Sequence, residues 1–278
     1  MKLNKNIILD AVNNNVVSAI AEDIKNIDKS STLVPSNING VAIVKANQKA
    51  ILCGKPWFEK SFKLIDKGIT CQWGIEEGQE FKKNQIICTL HGKYNKLLEG
   101  ERIGLNFLQT LSATATSTNI LVKKIAQTSS VLLDTRKTIP GLRIAQKYAV
   151  KIGGGLNQRL GLYDEILIKE NHIKSFGSIR AAIENVGNNN YQIEVETIGE
   201  LIIALECGAK NILLDNFSIL KAKEATLINK GKAMLEVSGN INIDNILDYA
   251  KLGIPRISVG AITKNIEAID FSMIIDTI

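Results

Sequence analysis

Six short apolar runs, separated by stretches of helical periodicity, dictate what the second half of this 278-residue chain can become. They cover residues 131–133, 166–168, 191–195, 212–214, 234–237 and 257–259, most a little over twenty residues apart. Strands of that length alternating with helices are βα units, and βα units assemble into a parallel sheet. The first intervening helix is the clearest. Leu142, Ala145, Ala149 and Ile152 share one face, Lys147 and Lys151 lie toward its C-terminus, and Gly153 supplies the stop.

Either an open doubly wound sheet or a βα barrel accommodates six such units. The residues that follow the strands favour the barrel. They are Asp134, Arg136 and Lys137, then Lys169, Glu194 with Glu196, Asp215, Ser238-Gly239 and Gly260. A barrel gathers its site from the C-terminal ends of many strands. A dinucleotide-binding sheet concentrates it at one switch point, and no GxGxxG follows any strand. Six strands in place of eight predict an incomplete parallel βα barrel over 113–264. Residues 1–112 mix helix-like and strand-like segments and predict an α+β N-terminal domain, with the tail 265–278 returning to it. Helices are expected at 16–27, 58–66 and 97–117, and strands at 41–44, 50–53, 69–74 and 86–90.

Sorted by charge, the strand-end residues form two groups. The cations are Arg136, Lys137, Lys169 and, from the Gly-rich loop, Arg159; the acids are Glu194 and Asp215. The 238–240 and 259–261 loops follow the last two strands, where barrels often cradle phosphate with backbone N–H groups. Arginine forks on the opposite side suit carboxylate or phosphate. The two acids suit ribose hydroxyls or a magnesium–diphosphate unit. Glu196 sits two past Glu194, already in the loop, and is the weaker acid candidate. His172 is expected to be a structural hydrogen-bond donor fixing the loop after Lys169.

Composition narrows the function classes. Net charge is +6, from 34 basic and 28 acidic residues, which fits an anionic small substrate. No basic block interleaved with aromatics argues for nucleic acid. The four cysteines have no CxxC spacing and only two histidines are available, so zinc is not expected and free thiols in a reducing, cytoplasmic compartment are. The N-terminus has neither a signal-peptide nor a membrane-span pattern.

Ordered motifs add a resemblance. They run from Glu101-Arg102 and Leu105-Asn106-Phe107-Leu108-Gln109 to Asp134-Thr135-Arg136-Lys137-Thr138 and Pro140-Gly141-Leu142. Lys147-Tyr148-Ala149-Val150, Gly153-Gly154-Gly155, Gly161-Leu162-Tyr163-Asp164 and Leu167-Ile168-Lys169 with Asn171-His172 follow. Leu214-Asp215-Asn216, Leu235-Glu236, Ser238-Gly239 and Val259-Gly260-Ala261 complete the set. The chain resembles the quinolinate phosphoribosyltransferases over most of its length, most strongly from Arg102 to His172. The resemblance implies a two-domain enzyme that joins quinolinate to phosphoribosyl diphosphate. The products are nicotinate mononucleotide, carbon dioxide and diphosphate, on the route to NAD.

It further implies Mg²⁺, no organic cofactor, and a homodimer or higher homo-oligomer in which Arg102 serves the neighbouring subunit's site. By that pattern Thr135, Arg136, Lys137, Gln158, Arg159 and Lys169 bind substrate, with Lys137, Glu194 and Asp215 catalytic. Glu194 and Asp215 serve ribose and metal. Ser238, Gly239, Asn240, Val259, Gly260 and Ala261 take the 5′-phosphate. Two departures stand out. Gln158 occupies a position where the family has histidine, and glutamine donates a hydrogen bond without carrying charge. Lys25-Asn26-Ile27-Asp28 replaces a family glycine pattern, and no function is carried from there. The rival readings are a phosphoribosyltransferase for another pyridine carboxylate, a barrel Schiff-base lyase using Lys137 or Lys169, and a nucleic-acid-binding module.

Overall fold

The structure, a computed structural model, describes residues 3–25 and 28–277. In chain order the elements of the first part are α1 (Lys5–Asp23), β1 (Asn39–Ala46), β2 (Ala50–Ile51), α2 (Lys55–Ile65), β3 (Thr70–Trp73), β4 (Glu80–Phe81), β5 (Ile86–Lys93) and α3 (Tyr94–Ile125). There follow β6 (Val131–Leu133), α4 (Arg143–Ile152), β7 (Ile166–Ile168), α5 (Glu170–Phe176), α6 (Ile179–Val186), β8 (Tyr191–Val195) and α7 (Ile198–Glu206). The last are β9 (Asn211–Asp215), α8 (Ile219–Asn229), β10 (Met234–Ser238), α9 (Ile246–Lys251), β11 (Arg256–Ser258), α10 (Ala261–Lys264) and β12 (Phe271–Thr277).

Two compact units result. The first comprises 3–25, 28–119, 139–154 and 265–277; the second comprises 120–138 and 155–264. This differs from a division at 112/113, because 113–119 and 139–154 group with the first unit. The reason lies in the stripe of α4. Ala145 and Ala149 are fully buried in one cluster with Val12 and Val16 of α1, Trp57 of α2 and Leu111 and Ala115 of α3. The helix that follows β6 therefore does not serve as a barrel crossover. Lys147, toward the C-terminus of this helix, is fully buried.

The first unit is built on an antiparallel sheet of order β12-β1-β5-β3. Alternate residues Ala42, Val44 and Ala46 of β1 are fully buried, packing in one cluster with Phe58, Phe62, Leu97 and Leu105. β12 pairs in full register with β1, from Gly40 opposite Thr277 to Ala46 opposite Phe271. α1 begins eleven residues before the expected start at Val16, and Asn26 and Ile27 of the expected helix lie outside the described residues. Asn13, Asn14 and Asn15 are weak helix formers. Tertiary contact overrides that: Asn15 donates through Nδ2 to the Gly141 carbonyl at 2.9 Å and accepts from Trp57 Nε1 at 3.2 Å.

The second unit is a six-stranded parallel sheet of order β6-β11-β10-β9-β8-β7, an open α/β barrel. Gly155-Leu156 runs beside β6 at its free edge: the Leu156 N–H donates to the Leu132 carbonyl at 2.8 Å, and the Asp134 N–H to Leu156 at 3.2 Å. Side chains alternate along each strand. Ile193, Val195, Ile212, Leu214, Leu235, Val237 and Ile257 are the buried apolar set. Gln192, Glu194, Asp215, Glu236, Ser238 and Ser258 are of the opposite parity and line cavities inside the barrel. Ordinary barrel interiors are filled by branched aliphatics; this one is largely polar. Among the described residues no helix is long and apolar enough to cross a membrane.

The turn after α4 generates a test. The helix ends at Gly153, its C-cap, as expected; Gly153 has an ordinary φ of −72°, and the left-handed residue is the next one, Gly154. Gly153 is required for space: a Cβ there would lie 2.4 Å from the Ala115 carbonyl oxygen and 2.7 Å from Thr118 Cβ. Backbone cannot yield as a side chain does, so Gly153→Ala is expected to lower unfolding free energy by about 1–3 kcal/mol. A urea midpoint equal to wild type, read by circular dichroism, would refute the packing argument.

Candidate active site

Two cavities open inside the second unit. The larger, about 690 Å³, lies toward the N-terminal ends of the strands, lined by Val131, Ile166, Asn190 and Arg256 among others. The smaller, about 360 Å³, gathers residues at the C-terminal ends. Barrel chemistry sits at the C-terminal face, and the smaller cavity is the one with the matching side chains. It is lined by Thr135, Arg136, Lys137, Gln158, Arg159, Leu167, Lys169, Glu194, Leu213, Asp215, Glu236, Ser238 and Ser258.

The loop carrying Thr135, Arg136 and Lys137 is held at several points. Asp134, fully buried, accepts from the Gln158 backbone N–H at 2.9 Å and from Asn157 Nδ2 at 2.6 Å. The Lys137 N–H donates to Thr135 Oγ1 at 3.0 Å, and Thr263 Oγ1 donates to the Lys137 carbonyl at 2.7 Å. Gly260 closes against this loop, where a Cβ would meet Lys137 Cδ at 3.0 Å. One buried acid thus fixes both cation-bearing segments, 134–137 and 157–159.

Arg159 is only 7% exposed and donates from Nη1 to the Glu165 carbonyl at 3.0 Å. Burial pulls its pKa down, the neighbouring Arg136 charge pulls it further, and Glu165 and Glu194 partly restore it. Arg136 beside it is half-buried, and two neighbouring guanidinium groups partly shielded from water are a site for an anion. Their Nε atoms, both buried, have no partner within the structure. Across the cavity Lys169, just past β7, forms an ion pair with Glu194 on the adjacent β8. Asp215 ends β9 and accepts from Asn216 Nδ2 at 2.8 Å.

The loops after β9 and β10 interlock. The Asn216 N–H donates to the Ser238 carbonyl at 2.9 Å, and Asn240 Nδ2 donates to Asn216 Oδ1 at 3.2 Å. Asn216, Gly239 and Asn240 all have positive φ, a conformation that glycine and asparagine tolerate best. Gly239, Asn240, Val259, Gly260 and Ala261 do not line the cavity. Gly260 borders Thr135 and Lys137, which do.

The remaining sequence candidates separate. Arg102 lies on α3 in the first unit, 58% exposed, 3.7 Å from the carboxylate of Glu101. It is not among the residues that line the cavity. Glu196 is exposed and outside the cavity. His172 is structural, with the opposite polarity to that expected: its Nδ1 accepts from the Lys169 N–H at 3.0 Å. Sequence reading gave no role to Glu236 or Ser258. Both are hidden in apolar runs, and only the two-residue step from Ser238 back to Glu236 signals a shared inner face. Glu236 is 1% exposed and accepts from Gln192 Nε2 at 2.9 Å through Oε2, while Oε1 has no partner. Burial raises its pKa, against the smaller pulls of the Gln192 amide, the nearby Ser258 hydroxyl and Arg256.

Comparison with known proteins fits this geometry. The family model for the quinolinate phosphoribosyl transferase N-terminal domain matches residues 28–112, and that for the C-terminal domain matches 114–274. The chain belongs to the quinolinate phosphoribosyl transferase family. A probable carboxylating nicotinate-nucleotide pyrophosphorylase of Methanocaldococcus jannaschii is 38% identical, over 88% of this chain and 89% of that protein. The Bacillus subtilis protein of the same description is 34% identical over 91% and 89%. A nicotinate-nucleotide pyrophosphorylase structure from Francisella tularensis superimposes with a TM-score of 0.94 at 43% identity, covering 99% of each chain.

For this member of the quinolinate phosphoribosyl transferase family, Gly239 is the sharpest test of the loop geometry. A Cβ there would fall 2.2 Å from Asn216 Oδ1 and 2.9 Å from the Asn216 backbone nitrogen, at a φ of 95°. Gly239→Ala is expected to cost about 2 kcal/mol or more, from left-handed strain plus the clash. An unfolding free energy within 0.5 kcal/mol of wild type, about the spread of harmless surface changes, would show the loop to be pliable.

Proposed function

We propose that this chain transfers the phosphoribosyl group of phosphoribosyl diphosphate to quinolinate, releasing diphosphate and carbon dioxide and yielding nicotinate mononucleotide for NAD biosynthesis. Family membership supports the activity. The single structural observation that carries it is the Arg136–Arg159 pair, whose buried Nε atoms have no partner, in a cavity that also holds Lys137 and Lys169. A substrate with two adjacent carboxylates satisfies such a set. A substrate with one would leave desolvated cations unpaired, which is unfavourable by several kcal/mol in order of magnitude.

In this reading Arg136, Gln158 and Arg159 hold the quinolinate acids, with Thr135 bracing the loop and Lys169 completing the anion set. Lys137 borders the path of the leaving diphosphate. The C1–oxygen bond to diphosphate breaks as the pyridine nitrogen bonds to C1. Positive charge that develops on the ribose carbon is stabilised by Glu194, and Asp215 takes a ribose hydroxyl. The ring, now cationic, accepts the electron pair of the broken carboxylate bond, and a proton replaces carbon dioxide at C2. The 5′-phosphate lies against the 238–240 and 259–261 loops.

Glu194 and Asp215 also fit a magnesium ion that arrives with diphosphate. They occupy neighbouring strands, and Glu194 is already balanced by Lys169. Among the described residues no group of three or more His, Cys, Asp or Glu side chains forms a metal cage. Magnesium commonly takes one or two carboxylates and substrate oxygens, and when bound it would neutralise charge on the leaving diphosphate. The enzyme works as a cytoplasmic homodimer in this proposal; its four cysteines are free thiols. No organic cofactor enters the scheme, since the ring itself is the electron sink.

The test is a coupled assay with quinolinate or nicotinate, phosphoribosyl diphosphate and Mg²⁺. Mononucleotide and carbon dioxide are expected with quinolinate, and Arg136→Ala and Lys137→Ala are each expected to lose ~10²-fold or more in kcat/KM while remaining folded. Equal turnover of nicotinate without carbon dioxide defeats the substrate assignment. The dimer has its own test. Arg102→Ala and Lys169→Ala chains, each inactive alone, should recover about a quarter of wild-type activity when exchanged, because roughly half the dimers are hybrids with one intact site of two. No recovery after demonstrated exchange places Arg102 in its own chain's service or in none.

A further inference from the structure

One step of the proposed reaction has no donor among the residues assigned so far. When carbon dioxide departs, C2 of the ring is left with an electron pair, and a proton must reach it. The arginines do not give up protons. Lys169 is engaged by Glu194, and Lys137 is exposed and serves the diphosphate side. Glu236 stands in the wall between the two cavities and lines both, as do Gln158 and Arg159. It is 1% exposed. Gln192 Nε2 donates to its Oε2 at 2.9 Å, while Oε1 has no partner. A protonated carboxyl has an acceptor oxygen and an O–H. Gln192 occupies the acceptor, which leaves the O–H on Oε1 unspent.

The surroundings favour that neutral form. Burial weighs most against the carboxylate, and Glu165 adds to it. The Gln192 amide on β8, the Ser258 hydroxyl on β11 and Arg256, its in-register neighbour on β11, pull the other way and less strongly. On the other side β9 presents Leu213 in register. A dianion in the smaller cavity disfavours ionisation further, since like charges oppose one another. An ionised Glu236 would repel the acids that Arg136 and Arg159 attract; a neutral one does not.

We propose that Glu236 is the general acid of the decarboxylation: from the wall that it shares with Gln158 and Arg159, it hands its carboxyl proton to C2 of the ring. This rests on the functional reading above. The bond from C2 to its carboxylate breaks, carbon dioxide leaves, and the electron pair stays on C2 beside the cationic ring nitrogen. The proton passes from Oε1 to C2, a C–H bond forms, and Glu236 is left as a carboxylate. Solvent entering the larger cavity, about 690 Å³ and also lined by Glu236, returns a proton to it. Proton transfer traps C2 before carbon dioxide recombines, so it governs the net rate of this half of the reaction. The acids already assigned do not suit the task. Glu194 is paired with Lys169, and Asp215 accepts from Asn216 at the end of β9.

Single-turnover measurements separate the two halves. Excess enzyme is mixed with phosphoribosyl diphosphate, Mg²⁺ and quinolinate labelled in its C2 carboxylate, and diphosphate and carbon dioxide are followed separately. Glu236→Gln keeps the shape and an acceptor for Gln192 but has no proton to give. It is expected to release diphosphate within about threefold of the wild-type rate and carbon dioxide ~10²–10⁴-fold more slowly, the scale of general acid catalysis. The dicarboxylate mononucleotide should accumulate. Glu236→Asp, an acid one methylene shorter, should lose less. In wild type, carbon dioxide release should slow in heavy water while diphosphate release does not. It should also weaken as pH rises through the raised pKa of Glu236, because only the protonated acid donates, and Glu236→Gln should lose that dependence.

Carbon dioxide release at the wild-type rate in Glu236→Gln overturns the proposal. Equal slowing of diphosphate and carbon dioxide overturns it in favour of a role in binding or packing. A wild-type carbon dioxide step that is unchanged in heavy water also overturns it, and that arm needs no variant to fold. Wild type that forms no mononucleotide from quinolinate defeats the activity and the acid assignment with it. Active wild type matched by Glu236→Gln defeats the acid assignment alone.

Discussion

Everything in the second unit depends on a two-residue alternation that runs through parallel strands without breaking them. Ile193 and Val195 are buried in the apolar set; between and before them Glu194 and Gln192 line the cavities inside the barrel. β10 repeats the pattern, with Leu235 and Val237 in the core and Glu236 and Ser238 inside. The aliphatic face supplies cohesion at roughly 25 cal/mol for each Å² removed from water. That leaves the inner face available for groups that would be intolerable in an ordinary core.

Charges on that inner face are tolerable only when balanced, and the balance differs across the cavity. Lys169 and Glu194 compensate one another within the chain. Arg136 and Arg159 do not: their like charges repel, Glu165 and Glu194 offset only part of that cost, and the Nε atoms have no partner. Asp134 holds the two segments in place through the Asn157 side chain and the Gln158 backbone, so it fixes positions without lying on the cavity wall. The arrangement keeps a site under electrostatic tension that a dianion relieves.

What could be read in the sequence follows from this division. β6, β7 and β8 occur at the residues where the apolar runs lie, because buried parallel strands are short, aliphatic and sharply bounded by polar residues. The cations at strand ends were visible for the same reason, as polar residues where apolar runs stop. Glu236 was not, since an inward-facing acid in the middle of an apolar run looks like a blemish until the strand is seen edge-on. The periodicity of α4 showed which face is buried and not against what; its stripe would suit a barrel wall as well as it suits Val12 and Val16. The early start of α1 depended on contacts from Gly141 and Trp57, far away in sequence. Arg102 carries no local signal at all: an exposed arginine on a helix has the same appearance whether it serves a surface or a second chain.

The pairing of β12 with β1 has a consequence for the order in which the chain can be finished. β1 is flanked by β5 on one side and by β12 on the other, and β12 is made more than two hundred residues after β1. At ribosomal speeds of about 5–20 residues per second, that edge of β1 stays open for roughly ten seconds or longer. Its backbone N–H and C=O groups meanwhile form an unpaired template for any extended segment, including the same strand of a neighbouring nascent chain. The hazard during synthesis therefore lies in the first unit, in a strand whose proper partner emerges more than two hundred residues after it.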